Sequence, residues 1–310
     1  MSPFTHRFPH VELDINGIRT IIIDPHNEIM PYWFMEFLRR KCSLIVLRID
    51  AHHDMFHCCP ALPACEGRER YHHLQRLLPY LQQYSRSLVN EGNFTSPAFH
   101  YGVLGALYHY HPGRERLEAY GRASGSDTES PPQTRVKSGP GGRRWIFWDG
   151  SETDLAGDEA SPKTAPLPRR ISLHDFQRDM QDCLLPIVIG IDLDGIYGNG
   201  DRGPVESLVR RRITGVRPLL QSVGRPAFIC LARSQTPRSY IPERAVDLVQ
   251  RAVLGLIREI YGSCQQLLSL LNLGPSLMRG GQDEPLLFLE RLKKLFRLSK
   301  CILLCGILIS

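Results

Sequence analysis

The chain reads as an α/β protein built on a mostly parallel sheet. Three observations predict this. Short apolar runs rich in β-branched residues recur at 18–23, 43–50, 187–193 and 226–232. Stretches with helical periodicity separate them, and prolines and glycines punctuate the junctions. Strands that alternate with helices pair in parallel, because the helix supplies the crossover.

IRTIII, residues 18–23, predicts a buried strand that ends at Asp24-Pro25-His26-Asn27-Glu28, since Pro25 has no N–H for the ladder. PYWFMEFLRRK, 31–41, predicts a helix with proline in its first turn. With the strand at 43–50 this makes a β-loop-α-β unit, which calls for a parallel pair with a right-handed crossover. A loop, FHCCPALPACEG, follows Asp54. Residues 69–89 place Leu74, Leu77, Leu78, Leu81, Tyr84 and Leu88 at helical spacing, and Ala98 to Tyr110 reads as a further helix.

Residues 121–142 are rich in Gly, Ser, Pro and charge, and 151–169 are polar. Around a strand-like RWIFWDG at 144–150, they read as a flexible insertion over about 121–169. HDFQRDMQDC predicts a short helix before the strand at 187–193. Residues 204–222 predict a basic helix with Arg210 to Arg212 on its solvated face. The last strand is PAFICLA. Residues 242–261 predict the strongest helix, with an apolar stripe from Ala245 to Ile260. Past Gly262 the leucine-rich segments QQLLSLLNL and LLFLERLKKLFRL form a tail that could pack on the domain, meet a partner or lie on a membrane surface. The expected organisation is one α/β domain over 1–261 and a tail over 262–310.

Of 310 residues, 42% are hydrophobic and 23% charged, an ordinary soluble balance. The net charge of +6 is spread in short runs without zinc-finger spacing or an aromatic-rich basic module, so no nucleic-acid partner is expected. Nine scattered cysteines suit reduced thiols and a cytoplasmic location. MSPFTHRFPH lacks the apolar core of a signal peptide. No run reaches the ~18 apolar residues of a spanning helix, so no transmembrane segment is expected.

The chemistry concentrates after two strands. IVLRIDAHHDM, 45–55, carries Asp50, His52 and Asp54, which share a parity and would point to one side of an extended chain. PIVIGIDLDGIYG, 186–198, ends its apolar run in Asp192 and Asp194. Ligands of parallel sheets sit at the carboxyl ends of the strands, where His26 also falls. Four carboxylates and two imidazoles gathered there repel one another. Two divalent cations, about 3.5–4 Å apart, would cancel that charge and share a water. The oxygen-rich set favours Mn(II), two per chain, with zinc or iron as alternatives. Cys58, Cys59 and Cys65 match no zinc-finger spacing.

Asp-Ala-His-His-Asp after a strand resembles the Asp-Ala-His-x-Asp motif of the arginase, agmatinase and ureohydrolase superfamily, and IDLDG resembles its second motif. DPHNEIMPYW, NFTSPAFHYG and LARSQTPRSYIP are similar to blocks of the UPF0489 family within that superfold, some members of which resemble peptide arginases. The resemblance covers roughly residues 10–261. It implies a three-layer α/β/α sandwich of the arginase–deacetylase kind and hydrolysis of a guanidino C–N bond, with arginine in a peptide turned into ornithine and urea. It further implies that His26, Asp50, Asp54 and Asp192 bind one metal and Asp50, His52, Asp192 and Asp194 the other, with Asp50 and Asp192 bridging. His100 is the candidate proton shuttle, ahead of His53, His57 and His72, which read as solvated loop histidines. Where free-arginine arginases hold the guanidinium with a glutamate, this chain has Ala232-Arg233-Ser234. Arg233 is then a candidate for a substrate carboxylate or carbonyl, or a structural ion pair. Glu243 is the candidate carboxylate, or else a first-turn helix residue. Tyr240 is a candidate for a place behind the ligands. Two other functions remain open: a mononuclear zinc deacetylase-like amidohydrolase using Asp50, His52 and Asp192, and a metal-stabilised binding or scaffold domain without catalysis.

Overall fold

The computed structural model describes residues 10–55, 58–62, 70–121, 123, 132–138, 143–148 and 166–270. The chain opens with a hairpin of β1 (Val11–Ile15) and β2 (Ile18–Ile23). Its turn is Asn16-Gly17, with φ of 58° and 74°. Two successive left-handed residues match the twist of the flanking strands, and Asn-Gly adopts them at least cost. This hairpin is absent from the predicted elements, although Asn-Gly is its signal.

A 3₁₀ turn (His26–Ile29) then runs into α1 (Met30–Arg40), and β3 (Leu44–Ile49) follows. Next come β4 (Cys58–Pro60), α2 (Arg70–Ser87), α3 (Thr95–His100), β5 (Leu104–His111) and β6 (Arg116–Tyr120). β7 (Thr134–Ser138), β8 (Arg144–Trp148) and β9 (Arg169–Arg170) precede α4 (Leu173–Gln181) and β10 (Ile187–Asp192). The last elements are α5 (Leu193–Ile196), α6 (Val205–Ser222), β11 (Phe228–Ala232) and α7 (Glu243–Leu270).

Eight strands make one mixed sheet in the order β1-β2-β11-β10-β3-β5-β6-β9, and β4-β8-β7 make a small antiparallel one. β2, β11, β10, β3 and β5 are mutually parallel. β2 and β3 run parallel as expected, but β11 and β10 lie between them. The parallel strands are buried on both faces, so their sequences are nearly unbroken apolar runs. Along β3, Ile45, Leu47 and Ile49 enter a core with α4, α6 and α7, while Leu44 and Val46 enter a second core with α1, α2, α3 and the small sheet. Helices thus cover both faces, an arrangement compatible with three α/β/α layers.

Three expectations are corrected. The helix read over 98–110 ends at His100, and Gly102 at φ 66° turns the chain into β5. LGALYHYH is apolar or aromatic on both faces because Ala106, Tyr108 and Tyr110 enter one core while Leu104 and Leu107 enter the other, and a two-sided burial pattern looks alike in a strand and in a helix. Arg212 does not lie on a solvated face. It is 9% exposed and its guanidinium donates to Asp201 and to the Ile196 carbonyl. Residues 134–138 of the supposed insertion form β7. Most of 121–169, His57, Cys65 and the tail past 270 lie outside the described residues.

Contacts group the chain into Met1–Gly262 and Ser263–Ser310. Of the second unit, residues 263–270 are described, and they are helical. Among the described residues no helix is long and apolar enough to cross a membrane.

Phe34 on α1 is fully buried against the sheet. Phe34→Ala should cost about 3–5 kcal/mol in denaturant unfolding through lost transfer energy and the cavity left behind. A loss under about 1 kcal/mol would show that α1 is not packed as described.

Candidate metal centre

Strand register builds the centre. Ile49 lies opposite Ile191, so Asp50 and Asp192 leave neighbouring strands side by side. Asp192 in turn lies opposite Ala232, and Ala232 opposite Ile23, so the segments after β11 and β2 open at the same edge. His26 enters from the 3₁₀ turn after β2.

Around His26 Nδ1, Asp50 Oδ2 stands at 3.2 Å, Asp192 Oδ2 at 3.2 Å and Asp54 Oδ2 at 3.3 Å. One ring nitrogen carries at most one proton and cannot serve three carboxylates. Ligands bound at about 2.1 Å in octahedral geometry sit roughly 3 Å apart, which is the spacing found here. In a second group, His52 Nδ1 is 3.0 Å from Asp194 Oδ2 and 3.8 Å from Asp50 Oδ1. The ligating atoms of His26, Asp50 and Asp192 lie within 4.8 Å of one another, and so do those of Asp50, His52 and Asp194. Asp50 belongs to both sets and turns one oxygen to each. These groups, buried except for His52, are positioned to hold a metal ion.

The convergence does not come from strand parity. β3 stops at Ile49, and Asp54 returns to the cluster through a bend in which its own φ is 46°. β10 stops at Asp192, whose Oδ1 accepts the Asp194 N–H at 3.2 Å and so caps the single turn of α5. The same oxygen accepts the hydroxyl proton of Ser234, a buried residue at φ 52°. Asp192 therefore has Oδ1 engaged and Oδ2 facing His26; Asp50 Oδ1 is engaged too, accepting the His52 N–H at 2.7 Å, but Asp50 alone has ligand atoms in both groups. Ser234 is absent from the predicted site. A serine after a strand carries no pattern that would single it out.

Two further contacts hold the ligand segments. A Cβ on Gly195 would lie 2.9 Å from Asp50 Cα, so α5 packs directly on the backbone of Asp50. Arg48, fully buried, donates to Thr95 Oγ1 at 3.0 Å, to Asp54 Oδ2 at 3.4 Å and to the His53 carbonyl.

The electrostatics follow from crowding. Burial opposes a charge on His26, yet Asp192, Asp50 and Asp54 hold its pKa well above the usual value. Burial, with Asp54 and Asp192 beside it, pushes Asp50 well up. Burial and Asp192 raise Asp194 to about 6, and the bond to Asp194 raises His52 to about 9. Burial would raise Asp54 too, but His26 and Arg48 bring it to about 2. The cluster retains protons where cations would otherwise sit.

The other predicted residues divide. Tyr240 stands edge-on to His52 with ring centroids 5.3 Å apart, and its hydroxyl lies 3.3 Å from Glu91 Oε1. Arg233 keeps its backbone at the sheet edge through an N–H to the Ile23 carbonyl, but its guanidinium turns to Asp247 on α7 at 3.0 Å. That is the structural ion pair. Glu243 opens α7, where the helix dipole favours a carboxylate. His100 Nδ1 lies 2.8 Å from Thr134 Oγ1, which draws the ring to the three-stranded sheet. His72 is exposed. His53 is not a solvated loop residue: its Nδ1 lies 2.7 Å from the Tyr120 hydroxyl. A surface cleft of about 920 Å³, lined by Met35, Leu38, Tyr71 and His72 among others, holds none of the clustered carboxylates or imidazoles of the centre.

No protein-family model matches the chain, and no curated protein matches it.

Gly195→Ala should push α5 off Asp50 and weaken metal binding by about tenfold or more, read by isothermal titration with Mn(II), since displacing supports of ligands costs on that scale. Wild-type affinity in the variant would show that this close approach is not what positions Asp194.

The metal-stripped protein should lose stability as pH rises. The folded pKa values of His52 and Asp194 both exceed their unfolded values, so the native state holds more protons. Their contributions are complete below about 4 for Asp194 and below about 6.5 for His52, and are lost through about 6 and about 9 respectively. Melting temperatures with a chelator should fall from pH 7 to pH 8.5, above the range in which His53, His109 and His111, whose values burial lowers, would take up protons on unfolding, and Mn(II) should abolish the fall. A chelated protein that gains stability from pH 7 to pH 8.5 contradicts the buried carboxylate cluster.

Proposed function

We propose that the chain is a binuclear metal hydrolase of arginase type, acting on the C–N bond of a guanidino group such as that of arginine in a peptide. The observation that carries this reading is Asp50, shared between His26–Asp50–Asp192 and His52–Asp50–Asp194 with one oxygen turned to each. Both His26 nitrogens, Asp50 Oδ2 and Asp194 Oδ1 are buried without hydrogen-bond partners, the condition that bound cations relieve. The parallel strand order, with ligands at the carboxyl ends, supports the arginase–deacetylase kind of sandwich.

In this reading His26, Asp50, Asp54 and Asp192 hold one ion, and Asp50, His52 and Asp194 hold the other. Mn(II) suits the oxygen-rich set. When bound, the ions would supply Lewis acidity and lower the pKa of a water for attack on the guanidino carbon. The chain supplies the rest. The His52 side chain is 54% exposed, which leaves an approach for a substrate on its side of the cluster. Tyr240 walls that approach, and Glu91 behind it offers a carboxylate, which attracts a cationic guanidino group better than a neutral acetamide. With Arg233 committed to Asp247, the preference for a peptide rests on the resemblance alone.

The test is urea release by the full chain, loaded with Mn(II), from an arginyl peptide and from agmatine. Asp194→Asn should lower the rate by at least about a hundredfold while the fold is kept, since it removes a ligand rather than its support. No urea from a fully metallated wild type would sink the guanidino reading. Acetate release from acetyl-lysine peptides with one Zn per chain would replace it with the deacetylase.

A further inference from the structure

A second group of side chains lies apart from that centre. Register sets Arg48 on β3 beside His109 on β5, and His109 beside Glu118 on β6, in one row across three strands. His53 reaches over the row from the loop after β3. Its Nε2 is 3.4 Å from Glu118 Oε2, and its ring centroid is 4.4 Å from that of His109. His109 Nδ1 is 3.8 Å from the same Glu118 oxygen. Ligand atoms of His53, His109 and Glu118 all lie within 4.8 Å of one another.

Two observations mark this as more than a polar row. His109 is 0% exposed, and neither of its ring nitrogens has a hydrogen-bond partner. A neutral imidazole presents one N–H donor and one acceptor nitrogen, and orphaning both in the interior is costly. The second observation is the support. The Tyr120 hydroxyl holds His53 at Nδ1, 2.7 Å away, and so aims Nε2 at Glu118. A partner at the far nitrogen is how metal-bound imidazoles are generally oriented. Glu118 gives one oxygen to Arg116 and turns the other to the imidazoles.

We propose that His53, His109 and Glu118 form a separate site for one zinc-class ion. Ligands at about 2.0–2.1 Å in tetrahedral geometry sit roughly 3.3 Å apart, close to the two separations to Glu118. Two imidazoles and one carboxylate favour zinc or a similar borderline ion over Mn(II) or Mg(II). Arg48 and Arg116 flank the site, so its affinity falls below that of the carboxylate centre. Because His53 lies between His52 and Asp54, the ion would pin the loop that carries two ligands of the first centre.

The experiment is a Zn²⁺ titration of the chelator-stripped full chain, with bound zinc counted by elemental analysis and its ligands read by X-ray absorption. Wild type should hold one more zinc per chain than His109→Gln. Asp194→Asn should keep that ion and lose one from the carboxylate centre, so failure of either site is told apart from failure of the other. Equal zinc in wild type and in folded His109→Gln overturns the proposal. If His109→Gln does not fold, Glu118→Gln, which keeps the side-chain volume, is counted by the same criterion.

Discussion

Three buried carboxylates crowd a single imidazole nitrogen, and the rest of the molecule is arranged around that constraint. The register of β3 against β10 leaves no alternative, because Asp50 and Asp192 must emerge together. Unpaired buried charges cost several kcal/mol each, so this edge is stable only when protons or cations occupy it. The raised values of His26, Asp50 and Asp194 express the proton solution. The Asp192 bonds to Ser234 and to the Asp194 N–H pin one oxygen and leave the other toward the cluster. Packing of α5 on the Asp50 backbone brings the second Asp-x-Asp carboxylate in at close range.

How much of this was legible in the sequence differs by kind of residue. The central strands were, because burial on both faces writes itself as an apolar run. The same property hid β5, whose LGALYHYH looks alike in a buried helix and a buried strand. His26, Asp50, His52, Asp54, Asp192 and Asp194 do converge at one sheet edge, but not through the strand parity that singled them out. Asp54 returns through a left-handed residue, and Asp194 sits on a helical turn. Arg233 shows the limit most clearly. Its backbone lies at the predicted edge, yet its side chain turns to Asp247, and a partner fourteen residues away on another element is not written in any local pattern. Arg212 was misread for the same reason, since Asp201 makes its burial possible. The Asn16-Gly17 hairpin is legible, since two left-handed residues of that type mark the turn.

The stretch from Arg48 to Asp54 connects the two groups of potential ligands. In an extended chain His52 and His53 would face opposite sides of the sheet, and Asp54 would follow His52. The bend keeps His52 on Asp194, lowers His53 onto Tyr120 and Glu118, and folds Asp54 back to His26. Arg48 closes this bend from beneath through the Asp54 carboxylate and the His53 carbonyl. It also stands in register beside His109, between the two groups. A single buried guanidinium thus fixes the loop that serves both. Charge added on either side acts on the same cation at short range in a medium of low dielectric, where such interactions are strong.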